Sequence, residues 1–203
     1  SICRALDEKL AQWCDNIVFL LLQDLQSSEL HRAVKPPILS CFGDIALAVG
    51  PSFDKYLEFV LPMLQSATSL AMTNQDPNVE LDEDTVQYMN DLRNGIFEAY
   101  TGILQGFRDD KSKIASLAQH ARFILSFIED VSKDPYRDAS VTRNMIALLG
   151  DMADTMDGIG ELFKENTFYQ ALFKELHSQS SDDTNFDSTL HWASERIALR
   201  LTQ

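Results

Sequence analysis

Apolar residues recur along this chain at three- and four-residue steps from Leu10 to Leu201, and no stretch alternates with a period of two. A half-buried strand needs that alternation, so the pattern leaves the helix as the regular element throughout. The helices also repeat. Phe42-Gly43-Asp44-Ile45-Ala46 returns as Leu149-Gly150-Asp151-Met152-Ala153, each late in an amphipathic helix just after an apolar run, Ile38-Leu39 and Ile146-Ala147-Leu148. A helix used twice marks a repeat protein, and repeat proteins expose long faces suited to binding.

Helices are expected over residues 10–26, then from residue 29 or 36 to 49, where Gly50-Pro51 is a stop signal: glycine takes the cap and proline cannot continue the helix. Pro36-Pro37 belongs at the start or a bend of that second helix, and Pro62 is expected to kink the helix over 53–72. Further helices are expected over 83–107, 112–132, 139–156, 159–164, 168–177 and 186–201, with acidic or Ser/Asp linkers at 75–84 and 178–184. Residues 1–8 read as the end of a preceding repeat, 9–50, 51–107 and 112–157 as helix pairs, and 158–203 as closing repeats. Pairs beginning roughly 40 to 55 residues apart match HEAT or armadillo spacing. The expected fold is therefore an all-α, right-handed α-solenoid of stacked HEAT-type antiparallel helix pairs. The absence of an initial methionine and the mid-helix start suggest a piece of a longer protein.

Charge narrows the partners. The chain carries 31 acidic against 17 basic residues, a formal net charge of -14, which repels nucleic acid and anionic membrane surfaces and attracts basic partners. The alternative, acidity serving only solubility, stays open on composition. Cys3, Cys14 and Cys41 lie in helical apolar patterns with no Cys-x-x-Cys spacing, which reads as reduced buried thiols of the cytosol or nucleus. The apolar run of residues 17–22 is too short to span a bilayer.

No catalytic constellation emerges. His31, His120, His177 and His191 are scattered, without the paired spacing a metal needs, and Gly158-Ile159-Gly160 lacks the third glycine and preceding strand of a dinucleotide loop. No Gly-x-Ser-x-Gly and no phosphate loop occurs. No enzyme activity, cofactor or metal is expected.

Residues 31–50, with Lys35-Pro36-Pro37-Ile38-Leu39-Ser40 leading into Phe42-Gly43-Asp44-Ile45-Ala46, closely resemble the importin-β (karyopherin-β) family in the repeats near the C-terminus of its members. Residues 98–106, Phe123-Ile124-Leu125-Ser126-Phe127-Ile128, Leu149-Gly150-Asp151 and a last helix with Trp192-Ala193 resemble it in the same order. The departures fall at residues 73–84, 108–116 and 158–187. The resemblance implies a nuclear import receptor fragment working between cytoplasm, nucleus and nuclear pore. Its inner helices would grip the basic importin-β-binding segment of importin-α, and its outer helices would offer a second, weaker site to phenylalanine-glycine nucleoporin repeats. Contact with Ran would lie mainly in more N-terminal repeats of the receptor.

The residues offer matching candidates. In the helix over 83–107, Met89, Leu92, Ile96, Tyr100, Ile103 and Phe107 form one stripe, opposite Gln87, Asp91, Asn94, Glu98, Thr101 and Gln105. Asp44 shares a stripe with Ser40 and Leu47, and Asp151 with Asp154 share one with Asn144 and Ala147. The expected partner-binding residues are Asp44, Asp91, Asn94, Glu98, Asp151, Asp154 and Trp192. Each has a plainer reading: a solvated face for the carboxylates, and for Asp44 and Asp151 a hydrogen bond inside the solenoid. Trp192 either completes the last apolar layer or, as the resemblance implies, stacks on a partner arginine. Trp13, with Ile17 and Leu20, is expected to pack. A HEAT scaffold that organises other proteins remains the alternative function.

Overall fold

The computed structural model describes residues 7–72, 81–178 and 184–202. The helix end expected at residues 2–6, and most of both expected linkers, lie outside them. The described residues contain helices and no strand, and the chain divides into two compact units, residues 1–110 and 111–203.

The first unit holds α1 (Asp7–Gln26), α2 (Lys35–Val49), α3 (Leu57–Ala71) and α4 (Glu83–Phe107). The prolines fall in the first turn of α2, where a missing N–H costs no helical bond. Gly50 ends that helix at φ 58°, a conformation side-chain-bearing residues avoid, and its N–H donates to the Ala46 carbonyl. A 3-10 turn over Gly50–Tyr56 follows, anchored by Phe53 edge-on to Tyr56 at 5.4 Å. The helix expected from residue 53 thus begins as this tighter turn, and α3 runs through Pro62. Asp82 caps α4 by accepting from the Thr85 N–H at 2.8 Å, with Glu83 and Asp84 favoured at the positive end of the helix dipole.

The six-residue apolar stripe read in α4 is buried along its whole length. At about 1.5 to 3 kcal/mol for each buried side chain of this size, such packing rather than propensity holds the helices. Arg93 is also fully buried. Its Nε donates to the Ala71 carbonyl at 2.9 Å and its Nη1 to Asn90 Oδ1 at 3.1 Å, so an arginine of α4 satisfies a carbonyl at the end of α3.

Between α2 and α4 the backbones touch. A Cβ at Gly43 would sit 2.5 Å from the Glu98 carbonyl oxygen and 3.1 Å from Ala99 Cα, and one at Gly95 would sit 2.6 Å from the Pro36 carbonyl oxygen. Gly102 lies against the Gly43 backbone in turn. Glycine on both helices is what permits this approach.

The second unit holds α5 (Lys111–Ala118), α6 (Ala121–Lys133), α7 (Ala139–Thr155), α8 (Ile159–Glu165), α9 (Phe168–Ser178) and α10 (Thr184–Leu201). The one helix expected over 112–132 is broken at Gln119-His120, where the His120 N–H donates to the Leu117 carbonyl at 2.9 Å. No Gly or Pro announces that break, and Ile114, Leu117, Ala121 and Ile124 keep helical spacing across it. The short α8 and α9 are stabilised by edge-on aromatic contacts of Tyr169 with Phe163 at 5.4 Å and with Phe173 at 6.1 Å. α10 packs across α7: the Trp192 ring covers Gly150, and Arg200 donates from Nε to the Ala153 carbonyl at 2.6 Å and from Nη2 to the Asp154 carbonyl at 3.0 Å. Those bonds satisfy the orphan carbonyls at the end of α7.

Candidate protein-binding site

The close approach of α2 and α4 leaves a groove along one side of the first unit. Its walls include Asp44 from α2 with Asp91, Asn94 and Glu98 from α4, and Pro36, Ser40 and Gly95 lie between them. A smaller adjoining pocket is bounded by Asp44, Glu98, Ser40 and Thr101 over Gly43 and Gly102. Four of the seven candidate residues, spread over two helices in the sequence, therefore meet at one place. Asp91 accepts from Gln87 Nε2 at 2.8 Å, and Glu98 Oε2 accepts from Ser40 Oγ at 2.6 Å, which fixes its carboxylate over the groove. Asp44 and Glu98 are exposed. Among the described residues no basic side chain lines either cavity, so the site is an anionic trough with a backbone floor.

The second unit corrects the other three expectations. Asp151, expected on an open acidic face, is buried at 8% exposure, because α10 covers this part of α7. The plainer reading, an aspartate engaged inside the fold, is the one its burial favours. Asp154 is turned inward as well: Arg196 lies 3.5 Å from its carboxylate, and that carboxylate is mostly shielded. Trp192 is half-buried with its ring against Gly150, which makes it a packing residue of the α7–α10 contact.

Trp13 departs from expectation the other way. It is 63% exposed and Leu20 is 56% exposed, while Cys14 and Val18 turn inward. The stripe of α1 that packs on α2 and α3 is one residue round from the stripe inferred. A second groove, between α1 and α3, was missed by the sequence reading. Val18, Phe19, Leu22, Phe59, Pro62 and Met63 line it, and Phe19 and Phe59 stay 66% and 54% exposed. The signal was present as surplus apolar residues in α1 and α3, but periodicity alone does not tell a packed surplus from an open one.

Consecutive helices packed against one another, with no strand among the described residues, place the fold in the class of helical-repeat proteins. Comparison with known proteins carries the assignment further. The family model described as "Importin subunit beta-1-like, TPR repeats" matches residues 1–176, and the chain belongs to that importin-β family. Importin subunit beta-1 of Arabidopsis thaliana is 42% identical over 198 residues, covering 97% of this chain and 22% of its own. That of Schizosaccharomyces pombe is 36% identical over 199 residues, with the same coverage of 97% and 22%. A crystal structure of importin beta in an ammonium sulfate condition aligns with TM-score 0.85 and 28% identity over 98% of this chain and 22% of that one. A structure of Kap95p, described as inducing the switch loops of RanGDP to adopt the GTP-bound conformation, aligns with TM-score 0.81 and 25% identity over 98% and 22%. The all-α, HEAT-type solenoid class expected from periodicity is thus the class of its structural neighbours. The chain spans about a fifth of the length of these relatives.

Proposed function

We propose that this chain is a segment of a nuclear import receptor and that the α2–α4 groove holds a basic helix of a cargo adaptor, of the kind carried by importin-α. The observation that carries the reading is the meeting of Asp44, Asp91, Asn94 and Glu98 in one open groove with no basic side chain among the described residues that line it. A helix rising 1.5 Å per residue presents a basic side chain to such a groove every turn. Each exposed ion pair contributes about 0 to 1 kcal/mol, so affinity comes from several together. The ordered matches at residues 31–50, 98–106 and 123–128 support a place near the receptor's C-terminal repeats, and the receptor would act between cytoplasm and nucleus.

The test is fluorescence anisotropy of a labelled importin-β-binding segment of importin-α, titrated with the chain at low and high salt. Asp44→Asn and Glu98→Gln should each weaken binding about 2- to 5-fold, and weaken it most at low salt, where screening is least. Salt-insensitive binding, or a double variant that binds as well as the parent, sinks this reading and favours a scaffold that only organises other proteins.

The α1–α3 groove supports a second contact. Its open phenylalanines fit short aromatic segments such as the phenylalanine-glycine repeats of nucleoporins, taken up between the first helices of two successive pairs.

A further inference from the structure

The apolar groove between α1 and α3 is not neutral at its lips. Among its described lining residues two are charged and both are carboxylates, Asp15 on α1 and Glu58 on α3. Asp15 is held in place: its Oδ1 accepts from Lys55 Nζ and from Tyr56 Oη, each at 2.6 Å. Those hydrogen bonds also hold its carboxyl below the usual carboxylate range, so it stays ionised at neutral pH. Lys55 offsets part of that charge, whereas Glu58 has no hydrogen bond or ion pair with the described residues. The α3 wall therefore presents a carboxylate beside the exposed Phe59, and a donor carrying positive charge complements it.

We infer that this groove selects apolar segments with a basic residue beside their aromatic anchor, the ring entering between Phe19 and Phe59 and the cation standing over Glu58 and, more weakly, Asp15. The inference rests on the reading of the groove as a site for short aromatic segments and adds a charge preference to it. Lysine or arginine would serve, since either brings the positive charge that the Glu58 carboxylate complements.

The experiment uses three labelled peptides of equal length with one Phe-Gly anchor flanked by Lys, Ser or Glu, titrated with the chain and followed by anisotropy. At ~50 mM salt the Lys peptide should bind about 3- to 10-fold tighter than the Ser peptide and the Glu peptide weaker, with the spread narrowing at ~300 mM. Glu58→Gln should bring the ratio of Lys to Ser affinities close to one, and Asp15→Asn should lower it less. Equal affinity for the Lys and Ser peptides, or a preference that survives both substitutions, overturns the charge preference. Failure of all three peptides to bind, or binding undiminished in Phe59→Ser, overturns the groove reading itself. Self-association of the chain abolished by Phe59→Ser would give the groove to a second copy and overturn both.

Discussion

Replacing Gly43 by alanine tests whether α2 and α4 meet backbone to backbone. Gly→Ala within a helix ordinarily gains about 1 kcal/mol of stability, from propensity alone. Here the new Cβ would lie 2.5 Å from the Glu98 carbonyl oxygen and 3.1 Å from Ala99 Cα. Neither atom belongs to a side chain that can swing away, so the helices must separate by about 1 Å, and overpacking of this kind costs about 3 kcal/mol. The net expectation is a loss of about 2 kcal/mol. For a unit of about 100 residues this lowers the melting temperature by about 8 to 15 °C. Hydrogen exchange read by mass spectrometry localises the effect: amides of α2 and α4 should exchange faster, while those of the second unit serve as an internal reference. Binding of the basic segment should weaken with it, because the groove that holds Asp44 and Glu98 is as wide as this approach allows. A Gly43→Ala chain that melts at or above the parent temperature, with unchanged exchange in α4, refutes the argument.

Other expectations follow from single contacts. Gly150→Ala should push the Trp192 ring out of its seat, cost about 1 to 3 kcal/mol and redden the tryptophan emission; an unshifted spectrum would remove Trp192 from this contact. Arg200→Ala strips the α7 carbonyls of Ala153 and Asp154 of their donors and should cost the second unit about 1 to 3 kcal/mol in urea denaturation, with the first unit unaffected. The carboxyl of Asp15 is held low chiefly by its hydrogen bond from Lys55, then by that from Tyr56, so its contribution to stability is present above its unfolded pKa and fades as pH falls through the lower folded value. Acid titration of Asp15→Asn should therefore show a flatter decline of stability below about pH 4 than the parent, and a parallel decline would place the acid sensitivity elsewhere.

Asp44 and Asp151 show where sequence reasoning held and where it stopped. Both follow a glycine late in an amphipathic helix, and from the sequence they looked interchangeable. In the structure Asp44 stands exposed on the groove wall while Asp151 is buried. The difference comes from a later helix: α10 lies across α7, so the surface beside Gly150 is filled by an indole, whereas the atoms nearest Gly43 are backbone atoms of α4 and the neighbouring Asp44 stays exposed. The α4 stripe needed no such information. Asp91, Asn94 and Glu98 follow from a helical period that is intrinsic to the chain, opposite an apolar stripe long enough to fix which side is buried.

The sequence by itself determined that the chain is helical, where α2 and α4 lie, and which face of α4 is polar, because these depend on residue spacing and on stop signals at a few positions. Only the tertiary structure decided that the acids of the first unit gather in one open groove, that those of the second turn toward Arg196 or the interior, that Trp13 is exposed and Trp192 packs, and that a second groove opens between α1 and α3. Those outcomes depend on which helices lie side by side across long stretches of chain, and burial is a property of the neighbour as much as of the residue.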